Sequence, residues 1–307
     1  MISYLITYKM MQLFVIMLLG FTLVKLKIVT SEQSVVLSKL CLYLFLPATV
    51  LSSFDVDLTR DIKSGLLLAF GAAIIIHLVL LLLDILYKKV GKAGSVERAS
   101  AMYSNAGVLI IPIVSYALGG EWVIFSCAFL SVQIVFLWTH GVRLFSEEAG
   151  SNLKKILLNV NILTIALGAL MMLFGLRLPS FVSEVTLSLG NMIGPIGMLI
   201  AGMTIANVNF REMLRNKRLY AVSAIRLLII PAILLGIIKL SLFALPFANT
   251  ESILLISFLA CITPSATTVV QFAQIYKSDE NFAVSINAFT ALAGMATMPL
   301  FVALYFL

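Results

Sequence analysis

Charge is what this chain has least of. Asp, Glu, Lys and Arg make up 11% of its 307 residues, while 61% are hydrophobic; ordinary soluble domains carry roughly a quarter charged. So little charge cannot clothe a water-exposed surface, and a mean hydropathy of +1.10 assigns the chain to a bilayer. Cysteine is scarce as well. Cys41, Cys127 and Cys261 lie singly in apolar segments without C-x-x-C spacing, which argues against a disulfide framework or a metal site. H-E-x-x-H, G-x-S-x-G, a P-loop and paired intramembrane aspartates are all missing, so neither an enzyme nor ATP-driven chemistry is indicated. Despite a net charge of +7, no basic arm or aromatic-interleaved patch suggests nucleic acid. The first apolar run continues to Lys25 with no small-x-small cleavage site, and so reads as a span rather than a signal peptide.

What is present is a series of apolar runs of about 20 residues, the length that crosses a ~30 Å hydrocarbon layer as helix. Ten are predicted, at 4–25, 34–53, 62–87, 98–119, 121–143, 156–176, 182–206, 219–241, 251–275 and 282–305. The fold class is therefore an all-α integral membrane bundle. Loops after the odd-numbered spans hold 15 Lys and Arg and the opposite side 5, a bias that sets the odd loops in the cytoplasm and both termini outside. The polar stretch from Phe145 to Lys155, with "SEEAGSNLKK", divides the chain into halves of five spans, 1–148 and 149–307.

Because five is odd, two like halves must be inserted in opposite senses, the inverted-repeat plan of many secondary transporters. Span 2 ("LFLPATVLSSFDVDLTRD") and span 7 ("MIGPIGMLIAGMTIANVNFRE") share a mid-span proline, Pro47 or Pro195, followed by a polar exit. Gly190 and Gly194 add a G-x-x-x-G pair that permits close helix approach. Span 4 carries Ser104, Asn105 and Gly107 ahead of Pro112, and span 9 clusters Thr263, Pro264, Ser265, Thr267 and Thr268. A single proline means only a kink, but proline beside polar groups in corresponding spans predicts two broken, crossing helices.

Such a crossing sets half-helix N-termini, with free N–H groups, beside half-helix C-termini with free carbonyls. No Asp, Glu or Lys occurs in 99–120 or 252–276. A cation/proton exchanger would need titratable carboxylates there, so the expected substrate is a small organic anion. The predicted binding residues are Asn105, Gly107, Pro112, Gln133, Asn191, Thr263, Pro264, Ser265, Thr267, Thr268 and Gln271. Candidates for charge or proton coupling are His77, Arg226, Asp55 and Asp57. Each has a plainer reading: an interhelical hydrogen bond for His77, snorkelling to the headgroups for Arg226, a solvated loop for the aspartates. Asp84 is expected to pair with Lys88 at i,i+4 spacing. No cofactor is expected, and any coupling ion is a proton or sodium.

"SNAGVLIIPIVSYALGGEW", "GPIGMLIAGMTIA", "IRLLIIPAIL" and "CITPSATTVVQFAQIYKSDENFAVSINAFTALAGMATMPL" resemble stretches of the auxin efflux carrier family over nearly the whole chain. The most specific matches are Asn105, Gly107 and Pro112, and Pro264, Ala266, Phe272, Ala273, Tyr276 and Asp279. The resemblance implies a fold like that of sodium/bile-acid symporters and sodium/proton antiporters. Spans 1, 2, 6 and 7 would form a scaffold, and spans 3–5 and 8–10 a transport domain moving as an elevator. Bacterial members look like carriers of malate, malonate and related carboxylates, so the resemblance implies a carrier of small organic anions in a bacterial inner membrane, with a homodimer as its candidate assembly. Ile110 and Ile111 stand where family members often have glycine before the proline. The alternatives are a sodium-coupled symporter of the bile-acid type and a membrane sensor that does not transport.

Overall fold

The computed structural model describes residues 2–91, 93–146, 157–242 and 249–307. Most of the polar loop expected to divide the halves lies outside the described residues. The apolar segments form helices, since in lipid a backbone must satisfy its own hydrogen bonds. Among the described residues, seven helices are long and apolar enough to cross a membrane: α1 (Ile2–Lys25), α2 (Ser31–Ser53), α3 (Arg60–Gly91), α5 (Gly120–Phe145), α7 (Ser180–Ile205), α8 (Lys217–Leu242) and α10 (Glu280–Tyr305). Shorter apolar helices fill the rest: α4a (Ser95–Met102), α4b (Ala106–Ala117), α6 (Val160–Leu173), α9a (Thr250–Ile262) and α9b (Thr267–Ile275). The chain is an integral membrane protein.

Burial separates inner from outer helices. From Ile253 to Ile262 every residue of α9a is buried, as expected of a helix apolar on all sides. By contrast α1, α3 and α6 keep rows of exposed Leu, Ile and Val, among them Leu18, Leu67, Leu82, Leu163 and Leu167. Exposed apolar surface on this scale suits lipid rather than water.

Between apolar helices in lipid, packing contacts and small residues replace the hydrophobic drive of water. The seam between α1 and α7 depends on two glycines. A Cβ at Gly202 would stand 1.9 Å from the Met17 carbonyl oxygen, and one at Gly20 would stand 2.3 Å from that of Leu199. Gly190 and Gly194 also allow close approach, but to different helices: Gly190 meets Thr49 of α2 and Gly194 meets Pro112 of α4b.

Prolines shape the helices in more than one way. Pro47 and Pro231 each follow a π-helical turn, at Cys41–Phe45 and Ile225–Ile229. The ring displaces the carbonyl four residues back, Tyr43 or Leu227, and the wider turn accommodates it. Pro195 sits in the first turn of Ile193–Ile205, after α7 is interrupted at Asn191 and Met192, where a missing N–H costs little. A third π turn, Leu137–Gly141, contains no proline.

Asp84 does not pair with Lys88 as the spacing predicted. Its carboxylate receives Arg98 on both oxygens and lies 3.2 Å from His140 Nε2. The α3 helix turns Asp84 inward, where it is 1% exposed, so partners on α4a and α5 are nearer than a lysine on the outer face.

Candidate functional site: a crossing of two interrupted helices

The fourth and ninth apolar segments break where they pass each other. Helix α4a ends at Met102 and α4b begins at Ala106; α9a ends at Ile262 and α9b begins at Thr267. In between, Ser104 and Ser265 form an antiparallel bridge. The Asn105 N–H donates to the Pro264 carbonyl at 2.8 Å, and the Ala266 N–H to that of Tyr103 at 3.0 Å. These two bonds offset those that each helix loses by unwinding.

The sequence placed the first break at residues 105–112. It lies at 103–105 instead, and Pro112 is inside helix α4b. Proline there does not end the helix; the break is set by the partner segment, which supplies hydrogen bonds at 103 and 105. In α9, Pro264 does fall within the break, as predicted.

Side chains from the following helix fasten each half of the bridge. Gln133 of α5 accepts from Ser104 Oγ and donates through Nε2 to the Ser104 carbonyl at 2.9 Å. On the other side, Asn287 of α10 donates to the Ser265 carbonyl at 2.7 Å, and Thr290 Oγ1 accepts from the Ser265 N–H at 3.1 Å. Sequence reading found Gln133 but missed Asn287 and Thr290, although both are polar residues in an apolar helix.

Arg226 is completely buried and does not snorkel. Its guanidinium donates to the carbonyls of Ala101 at 3.1 Å, Thr263 at 3.1 and 2.6 Å, and Cys261. These carbonyls lie at the C-terminal ends of α4a and α9a. Two such ends carry about half a negative charge each, so one guanidinium neutralises the pair. The N-cap residues of α4b and α9b, Asn105 and Ala266, make no side-chain cap hydrogen bond, so each helix start keeps its partial positive charge without that cap.

Two cavities flank α4b. The smaller, about 30 Å³, is lined by Asn105, Pro264, Asn287, Gly197, Met198 and Gly294 among others, room for about one or two waters. The larger is a vestibule of about 420 Å³ on the same measure, lined by Pro112, Asn191, Thr49, Ser52, Ser115 and Lys9 among others. Among the described residues that line it, Lys9 is the one cation and none is a carboxylate. The ammonium of Lys9 lies 5.1 Å from the Tyr116 ring centre.

The remaining predicted residues are dispersed. Gly107, Thr267 and Thr268 occupy the first turns of α4b and α9b, and Gln271 follows one turn later. Thr263 is buried, its hydroxyl on the Ala260 carbonyl. His77 lies between Phe129 and Phe136, with Nδ1 on the Ala73 carbonyl. Asp55 and Asp57 meet Arg177 at 3.5 and 2.6 Å, and Asp55 also accepts from Ser183.

This geometry defines a helical membrane protein organised around paired, interrupted helices. Residues 5–156 match the family model described as membrane transport protein, that of an auxin efflux carrier-like membrane transport family. A comparison with curated proteins finds no match.

Proposed function

We propose that the protein is a secondary carrier of small organic anions, of mono- or dicarboxylate type, that works by alternating access. The observation that carries this reading is the crossing itself: two helix starts without a side-chain cap, with a vestibule against the later half of α4b whose described lining has a lysine and no carboxylate. In that vestibule a carboxylate beside Lys9 finds hydroxyls at Thr49, Ser52 and Ser115 and the amide of Asn191, and Asn105 lines the separate, smaller cavity at the crossing. Backbone amides at helix starts favour an anion without requiring a buried lysine.

In this reading the chain crosses the membrane ten times as two inverted five-helix repeats with both termini outside. Bonding of Ser104 from α5 and of Ser265 from α10, the fifth helix of each half, supports the repeat. Helices α1, α2, α6 and α7 form the scaffold, joined through Gly20 and Gly202 and by Gly168 against Phe54. Helices α3–α5 and α8–α10 form the moving part. Sodium coupling of the bile-acid kind is disfavoured because Arg226 already takes the helix-end carbonyls that would coordinate the ion.

Counterflow of radiolabelled malonate into proteoliposomes preloaded with malonate or malate tests the proposal. Exchange above that of protein-free vesicles is expected, and Asn105→Ala is expected to reduce it at least tenfold while inserting normally. Absence of exchange across a panel of mono- and dicarboxylates would remove the carrier reading in favour of a non-transporting sensor.

A further inference from the structure

A chain of hydrogen bonds leads from a groove at one end of the bundle to the crossing. Asp84 of α3 is held by Arg98 of α4a on both carboxylate oxygens. His140 Nε2 lies 3.2 Å from Asp84 Oδ2, and His140 Nδ1 lies 2.8 Å from the Tyr103 hydroxyl. That hydroxyl also lies 2.9 Å from the Phe136 carbonyl oxygen. Tyr103 is the first residue of the break, and its own carbonyl accepts the Ala266 N–H across the bridge.

Counting protons along this chain gives one consistent answer. An Asp84 paired to a guanidinium through both oxygens is ionised and can only accept. The Phe136 carbonyl also only accepts. Two acceptors therefore terminate a path containing one imidazole and one hydroxyl, and three hydrogen bonds need three protons. A neutral imidazole and a phenol supply two. With Nε2–H toward Asp84, the bare Nδ1 and the Phe136 carbonyl compete for a single hydroxyl proton; with Nδ1–H toward Tyr103, a bare Nε2 faces the carboxylate. Only the imidazolium satisfies every contact: Nε2–H to Asp84, Nδ1–H to the Tyr103 oxygen, and the Tyr103 O–H to Phe136.

We propose that His140 is a reversible proton-binding site, and that its proton sets the orientation of the Tyr103 hydroxyl and thereby the crossing. On losing the proton, Nδ1 must accept from Tyr103, the hydroxyl turns away from Phe136, and the first residue of the break loses one of its anchors. The site opens onto a groove of about 580 Å³ lined by Leu81, Asp84, Ile85, Lys88, Lys89, Arg98 and His140, which gives the proton a route of exchange. Asp84 carries the compensating negative charge, for which Arg98 competes directly, with Lys88 and Lys89 on the same groove. Neighbouring Glu97 is turned to Arg218. The π turn at Leu137–Gly141, which no proline explains, holds His140, and such turns recur at functional positions. That this proton serves coupling rests on the carrier reading above; the proton site itself does not.

The chain has only two histidines, His77 and His140, so NMR of histidine-labelled protein in nanodiscs resolves the site without any transported substrate. Between pH 5 and 9 the His140 ring, assigned with His77→Gln, should pass from imidazolium to neutral. Tyr103→Phe, which keeps the imidazole but removes the oxygen facing Nδ1, should weaken proton binding about tenfold. Amide exchange at residues 103–106, corrected for intrinsic rates, should change with the same midpoint in the parent protein. A ring that stays in one protonation state across the range overturns the proposal, as does a titration indifferent to Tyr103→Phe or unaccompanied by change at 103–106. A positive titration with no malonate counterflow would leave the proton site standing and the carrier reading fallen.

Discussion

At the residue scale, Arg226 shows how a charge can be buried in an apolar bundle without a carboxylate. Its partners are the carbonyls of Ala101, Cys261 and Thr263, the exposed ends of two helices whose own bonding has run out. Replacing it by methionine keeps much of the volume and strands those carbonyls. Arg226→Met is expected to cost about 3–5 kcal/mol of stability, the range for breaking a buried ionic arrangement. Arg226→Lys keeps the charge but not the planar fork, and should cost less. Unfolding in detergent measures both, and an Arg226→Met protein as stable as the parent would deny the arginine this role. An arginine within a span could be read from the sequence as unusual. Its partners could not, because they are main-chain atoms of helices 35 and 125 residues away. For the same reason His140 passed unnoticed: nothing local marks a histidine whose partners lie on α3 and at the end of α4a.

At the scale of elements, the apolar helices, seven of them long enough to cross a membrane among the described residues, were legible because length, hydropathy and the satisfaction of backbone bonds leave little choice in lipid. That α4 and α9 break was also legible from serine, threonine, asparagine and proline in the same stretches. Where α4 breaks was not, since an antiparallel bridge is a property of two segments and Pro112 belongs to only one. The bridge should fail when its fasteners are removed. Gln133→Leu leaves both the hydroxyl and the carbonyl of Ser104 unpaired, and Asn287→Leu strands the Ser265 carbonyl. Each is expected to cost about 1–3 kcal/mol and to speed hydrogen exchange at the Asn105 and Ala266 amides. Gln271→Leu, on α9b beyond the bridge, should leave those amides unchanged. Equal exchange in all three variants would mean that the bridge holds without its side-chain supports.

At the scale of the whole molecule, the glycines of α7 distinguish a fixed seam from a sliding one. Gly202 faces the backbone of α1, where a Cβ would collide with the Met17 carbonyl at 1.9 Å, and main chain cannot turn aside. Gly197, on the same helix, faces a side chain: its Cβ would fall 2.0 Å from Val108 Cγ1 of α4b. If α1 and α7 belong to a rigid scaffold and α4b to a part that moves past it, the two substitutions should fail differently. Gly202→Ala should lower the melting temperature and the yield of folded protein, because no alternative arrangement of the seam relieves the clash. Gly197→Ala should leave the melting temperature close to that of the parent while suppressing malonate counterflow, since it disfavours one position of α4b against α7. Val108→Ala removes the colliding methyl groups and should restore counterflow in the double variant, a coupling that two independent effects would not produce. Loss of folding in both single variants alike, without rescue by Val108→Ala, would place α4b and α7 in one rigid body and leave the elevator without its sliding surface.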